Sequence, residues 1–394
     1  MNAPHRPTPH SAITRRRFVR WGGAIATLGL LPRRAQAAEV VKAPIRAEWP
    51  TIGEEIRRAV DPPPLRLRFR GRTPGELAAW QRQFAAKLRE LIGPADPPAK
   101  WSARTLNQSE FEDHVREELV LTADGAPPLP LYVLRPRVPP AAKIPIVLCL
   151  HGHCRGGHDT VAGRDDWPEL VEEIRRNRYD YGRQLARAGF LAIAPCFAGF
   201  GRRLDDAARP PRPHQFPDSC AMTFIRQLAL GRTAVGANLR DTWWALAYAA
   251  GRPEAQPGAV ACGGMSFGSR MAVLATALEP RISAVVSCGG QTLYQERVRQ
   301  NVVCGVQLIP GILEYGDTPE IGALIAPRPA LWVAGSDDVI NNLPIWRDEG
   351  RPRLEAAYAA SGRPGALSLQ SPKGTEAWYG REALEFLARA LPKG

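Results

Sequence analysis

Several things are scarce in this sequence, and each scarcity excludes something. No apolar run approaches the roughly 20 residues of a membrane-spanning helix, so no stable membrane span is expected. Cysteine occurs seven times, with no C-x-x-C pair and no Cys/His spacing of a zinc motif, so no metal is implied. The odd count leaves at least one thiol unpaired. Cys149, Cys196, Cys262 and Cys288 sit in or beside apolar runs as small hydrophobes, and a disulfide using Cys220 or Cys304 stays open. Aromatic residues make up 7% of the chain and are not interleaved with clustered basic residues, so nucleic acid is not an expected partner. Histidine is the telling shortage. The seven are His5, His10, His114, His151, His153, His158 and His214, and none lies beyond residue 214.

Acidic residues are missing from the first 37 positions, which hold Arg6, Arg15, Arg16, Arg17, Arg20, Arg33 and Arg34. Without these seven arginines the formal charge falls from +13 to +6, spread along the chain as an arginine-rich solvated surface. Thr14-Arg15-Arg16-Arg17-Phe18-Val19-Arg20 resembles the twin-arginine export consensus. A mild apolar region from Trp21 to Leu31 and the small-x-small site Ala35-Gln36-Ala37 complete a signal peptide over residues 1–37. The twin-arginine export machinery is therefore an expected partner, and the periplasm or the exterior the expected location. That route carries proteins already folded.

Residues 38–110 read as a Pro- and Arg-rich helical extension, with apolar spacing at Leu77, Trp80, Phe84, Leu88 and Leu91. Residues 111–394 read as one α/β domain. Glu117 to Leu121 and Leu129 to Leu134 form paired strands, and strands and helices alternate from there. Ile144 to Leu150, Phe190 to Ala194, Ile282 to Ser287, Ala330 to Ala334 and Leu367 to Leu369 are the further strands; Tyr181 to Arg187, Asn238 to Ala250 and Arg381 to Leu391 are helices. This alternation predicts a mostly parallel sheet covered by helices on both faces. The stretch of about 197–231 reads as an insertion near the mouth of the site.

Gly264-Met265-Ser266-Phe267-Gly268 has the G-x-S-x-G form of a nucleophile elbow, preceded by the apolar run Val260-Ala261-Cys262 and followed by a helix-like segment. Its serine is the expected nucleophile. His151-Gly152-His153-Cys154 follows a buried strand, so the backbone N–H of His153 or Cys154, together with that of Phe267, is expected to form an oxyanion hole. The His151 side chain reads as a loop anchor. Gly335-Ser336-Asp337-Asp338 follows a later strand, where Asp338 is expected as the acid of a triad.

Taken with Leu148-Cys149-Leu150-His151-Gly152-His153, Tyr179-Asp180-Tyr181, Phe197-Ala198-Gly199-Phe200-Gly201, Ile309-Pro310-Gly311-Ile312-Leu313 and Ala323 to Pro329, the elbow makes residues 110–391 similar to a known group. They resemble the acetyl xylan esterase-like branch of the dienelactone hydrolase group, within the α/β-hydrolase superfamily. The resemblance implies an α/β-hydrolase fold and hydrolysis of small carboxylic esters, such as acylated carbohydrate, without a cofactor. It implies Ser266 as nucleophile and Asp338 as acid. The departures lie at the base. Relatives carry a Gly-Gly-His-Glu type sequence before the last helix, where this chain has Lys373-Gly374-Thr375-Glu376, with Thr375 at the His position. Gln300 also stands where relatives often have His, and Val339-Ile340-Asn341-Asn342 lacks the usual Pro-containing pattern.

A serine hydroxyl attacks poorly unless a neighbour takes its proton. Losing a triad member costs orders of magnitude, while oxyanion hole and binding retain only about 10³- to 10⁴-fold over water. Two readings follow. One is an exported serine hydrolase that recruits a base from His153, His158, His214, Glu376 or Lys373. The other is a catalytically impaired homologue that binds an ester or acylated sugar as a ligand.

Overall fold

The computed structural model describes residues 51–138, 143–154, 156–204, 219–300, 304–341 and 344–391. The signal peptide read at 1–37 and His5, His10 and His214 lie outside these residues.

Among the described residues the chain builds a nine-stranded sheet: β1 (Ser102–Glu110), β2 (His114–Ala123), β3 (Ala126–Pro136), β4 (Ile144–Leu150), β5 (Leu191–Pro195), β6 (Ala255–Met265), β7 (Ala284–Cys288), β8 (Ala330–Val333) and β9 (Leu367–Gln370). Their spatial order is β1-β2-β3-β5-β4-β6-β7-β8-β9. The first three strands are antiparallel, and β5 to β9 with β4 run parallel. This is the mostly parallel sheet that the alternation of strands and helices predicts, in the α/β-hydrolase architecture that the resemblance implies.

The central strands bury both faces, which is why they read as unbroken apolar runs. In β4, Ile144, Ile146, Leu148 and Leu150 face one core, and Val147 and Cys149 face the other. Helices Pro74–Ile92, Ala234–Ala250 and Phe267–Leu278 cover the first face; helices Tyr181–Arg187 and Gly380–Ala390 cover the second.

Helix Pro74–Ile92 starts at a capping box. Thr73 Oγ1 accepts from the Glu76 N–H at 3.3 Å, and the Glu76 carboxylate accepts from the Thr73 N–H at 3.0 Å. Its Leu77, Phe84, Leu88 and Ile92 enter the main core. The sheet also reaches back before residue 111, because β1 pairs with β2 from Ser102↔Thr122 to Glu110↔Val115. No sequence period announces β1: nearly every residue of Ser-Ala-Arg-Thr-Leu-Asn-Gln-Ser-Glu is exposed, on both faces of an edge strand.

Register then assembles a site. Leu150 pairs with Gly264, Met265 with Cys288, and Cys288 with Val333. The residues that follow these strand ends, His151 to His153, Ser266, Gly289 and Asp338, therefore emerge side by side along the carboxyl edge, where open α/β sheets bind ligands.

Candidate active site

Ser266 turns from β6 into helix Phe267–Leu278 at φ 56° and ψ −120°, a left-handed region that a non-glycine residue enters only under constraint. Its N–H donates to Cys288 O at 2.8 Å, and its carbonyl accepts from the Ser269 N–H at 3.1 Å. The turn is so tight that a Cβ on Gly268 would overlap Leu150 O. Ser266 is half-buried while the residues on either side are buried, and no described side chain hydrogen-bonds its hydroxyl.

Beside it, Gly152 approaches so closely that an added Cβ would lie 2.6 Å from Met265 O and 3.1 Å from Ser266 Cβ. The Gly152 N–H donates to the buried Tyr179 hydroxyl at 3.0 Å. The N–H groups of His153 and Phe267 have no acceptor among the described residues. Two unspent amides thus flank the serine, one of them at a helix start.

His151 anchors this loop. Its Nε2 accepts from the Phe197 N–H at 3.0 Å, so Nδ1 carries the proton and donates to Gly152 O at 2.9 Å. Burial pushes its imidazole down to about 3, in keeping with a neutral ring. His158 is also buried, against the Tyr132 ring at 5.0 Å, and burial holds it well below the usual imidazole range. His153 turns its ring toward Phe200 and Phe267, with Nε2 3.1 Å from Cys304 Sγ. Hydrogen bonds from Cys220 and then His153 push the Cys304 thiol down to about 4, whereas burial raises that of Cys149 and Cys262. No disulfide joins any of the seven cysteines.

The opposite rim is built differently. Asp338 is 4% exposed and Asp337 exposed, so Asp338 is the carboxylate turned inward. Asn341 holds it: Asp338 Oδ1 accepts from the Asn341 N–H at 2.9 Å, and Oδ2 accepts from Asn341 Nδ2 at 3.1 Å. The same Nδ2 donates to Glu376 Oε1 at 2.9 Å. Asn341 therefore joins two carboxylates. Glu376 lies close enough to Arg270, Arg297 and Tyr179 for its charge to act on all three. Thr375 is exposed, its carbonyl accepting from the Tyr379 hydroxyl at 2.7 Å; Lys373 and Gln300 are exposed too. Sequence reasoning missed the parts of Asn341, Tyr179, Arg270 and Arg297, since single polar residues carry no spacing signal.

Residues 171–311 match the dienelactone hydrolase family, a span that includes the elbow and ends before Asp338. The chain is 27% identical over 279 residues to YtaP of Bacillus subtilis, provisionally named a hydrolase, covering 70% of this chain and 87% of that one. Among solved structures it is similar to a Bacteroides fragilis protein provisionally described as an acetyl xylan esterase: TM-score 0.66, 18% identity, 83% of this chain and 84% of that one. It is also similar to a glucuronoyl esterase from Solibacter usitatus, with TM-score 0.57, 17% identity and coverage of 80% and 93%. The sheet order and the structural likenesses give the chain the α/β-hydrolase fold, and residues 171–311 are similar to the dienelactone hydrolase family.

Proposed function

We propose that the protein is an exported hydrolase of small carboxylic esters, with Ser266 as nucleophile and Glu376 in place of the missing imidazole. The reading rests on the strained Ser266 backbone set between two amides without acceptors. Ser266 Oγ attacks the ester carbonyl and passes its proton to the Glu376 carboxylate. The N–H groups of His153 and Phe267 hold the negative oxygen. Collapse expels the alcohol, which regains that proton, and water then releases the acid from the acyl-serine. Asp338 acts through Asn341, which orients Glu376.

The esterases of similar fold, one provisionally described as acting on acetyl xylan and one a glucuronoyl esterase, support an acylated sugar as substrate. The arginine-rich leader supports export by the twin-arginine route to the periplasm or beyond. Hydrolysis of an aryl acetate that disappears in Ser266→Ala, with fluorophosphonate labelling of Ser266, is the expected result. An unlabelled serine in folded protein would remove the proposal.

Two observations favour a second reading, a ligand-binding protein without turnover. The Asp338 carboxylate is held by Asn341 rather than by an imidazole, and His151 and His158 are buried and neutral. Turnover that depends on Ser266 rules this reading out.

A further inference from the structure

Beside the elbow, three side chains from distant parts of the chain meet. His153 follows β4, Cys220 lies in the first turn of helix Ser219–Ala229, and Cys304 opens the turn before Gly305–Gln307. One ligating atom from each, an imidazole nitrogen and two sulfurs, all lie within 4.8 Å of one another, with His153 Nε2 and Cys304 Sγ at 3.1 Å. Zinc binds thiolate at about 2.3 Å and imidazole at about 2.0 Å, so ligands around one tetrahedral ion stand roughly 3.5–3.8 Å apart. Modest rotation of these side chains closes that geometry. We propose that His153, Cys220 and Cys304 form a binding site for a zinc-class cation, with its fourth coordination position open.

Chemistry and shape both support this. Two thiolates and a neutral imidazole balance a divalent charge, and a sulfur-rich set selects zinc over the hard cations. Cys220 is buried, Cys304 half-buried and His153 exposed, so the cluster is covered on one side and open on the other. The Phe200 and Phe267 rings, centred 5.4 and 5.2 Å from the imidazole, pack against it on the covered side. Three protein ligands with one open position are the arrangement of catalytic rather than structural zinc. A metal here would sit against Phe267, the residue after Ser266.

The test uses the full chain, purified under reductant and titrated with cobalt(II) as a spectroscopic stand-in. The expected result is one equivalent bound per chain, with a sulfur-to-cobalt charge-transfer band that zinc displaces. Cys304→Ser, Cys220→Ser and His153→Gln should each weaken binding by about 100-fold or more, beyond the loss expected for an outer-shell partner. Cys262→Ala, a buried thiol of β6 outside the cluster, should leave affinity unchanged, and circular dichroism checks that each variant is folded. Less than stoichiometric uptake by the reduced protein, unchanged affinity in folded Cys304→Ser, or a Cys220–Cys304 disulfide that resists the reductant overturns the proposal. Metal stoichiometry is read without turnover, so the result stands apart from whether Ser266 hydrolyses esters.

Discussion

The two rims of the site have fared differently. The rim formed by β4, β6 and the elbow is held by backbone: a strained serine, closely approaching glycines, and amides with no acceptor among the described residues. The rim formed after β8 and before helix Gly380–Ala390 is held by side chains, with the Asn341 amide set between the Asp338 and Glu376 carboxylates. A main-chain arrangement persists as long as the fold does, whereas a proton relay can be rewritten one side chain at a time.

Breaking the first rim should have the largest effect. Gly268→Ala forces a methyl group into Leu150 O, so we expect a destabilisation beyond about 4 kcal/mol, read as failure to accumulate folded protein or as a collapsed denaturant midpoint. On the second rim, Glu376→Gln should leave the fold intact and lower kcat by about 10²- to 10⁴-fold, the range general-base catalysis supplies. A rate unchanged in that variant would return the proton to another group.

Acid should act on the first rim before the second. His151 and His158 are neutral when folded, with ordinary values near 6.5 once unfolded. A base depressed in the folded state is protonated mainly in the unfolded chain, so its stability contribution is complete above pH 6.5. It is lost as pH falls below that, through the folded value. Between pH 7.5 and 5.5 each ring should remove about 1.4 kcal/mol, roughly 3 kcal/mol together. Urea unfolding at the two pH values measures this, and His158→Phe should halve the difference. The smallest effect sharpens the comparison from the other direction: Thr375→His returns an imidazole to the altered rim and should raise kcat/KM by about 10-fold, or 1.4 kcal/mol.

Legibility in the sequence divides along the same line. The elbow, the strand Ile144 to Leu150 and the loop after it declare themselves, because a backbone feature needs glycine at fixed spacing and a doubly buried strand needs an apolar run. β1 stays hidden, since an edge strand wetted on both faces has no alternation. Glu376 is visible as a candidate, but its hydrogen bond to Asn341 is a tertiary accident of two loops. The meeting of His153, Cys220 and Cys304 is another, with no local spacing to betray it.

Trp378 is buried, stacked on the Tyr181 ring at 4.5 Å, and its backbone N–H donates to Asn177 O at 2.9 Å. The indole works as a rivet for the loop just ahead of it. Whatever residues occupy 375 and 376 are delivered to the same spot without asking the rest of the molecule to adjust. Such a mounting point lets one scaffold carry different side chains at these two positions.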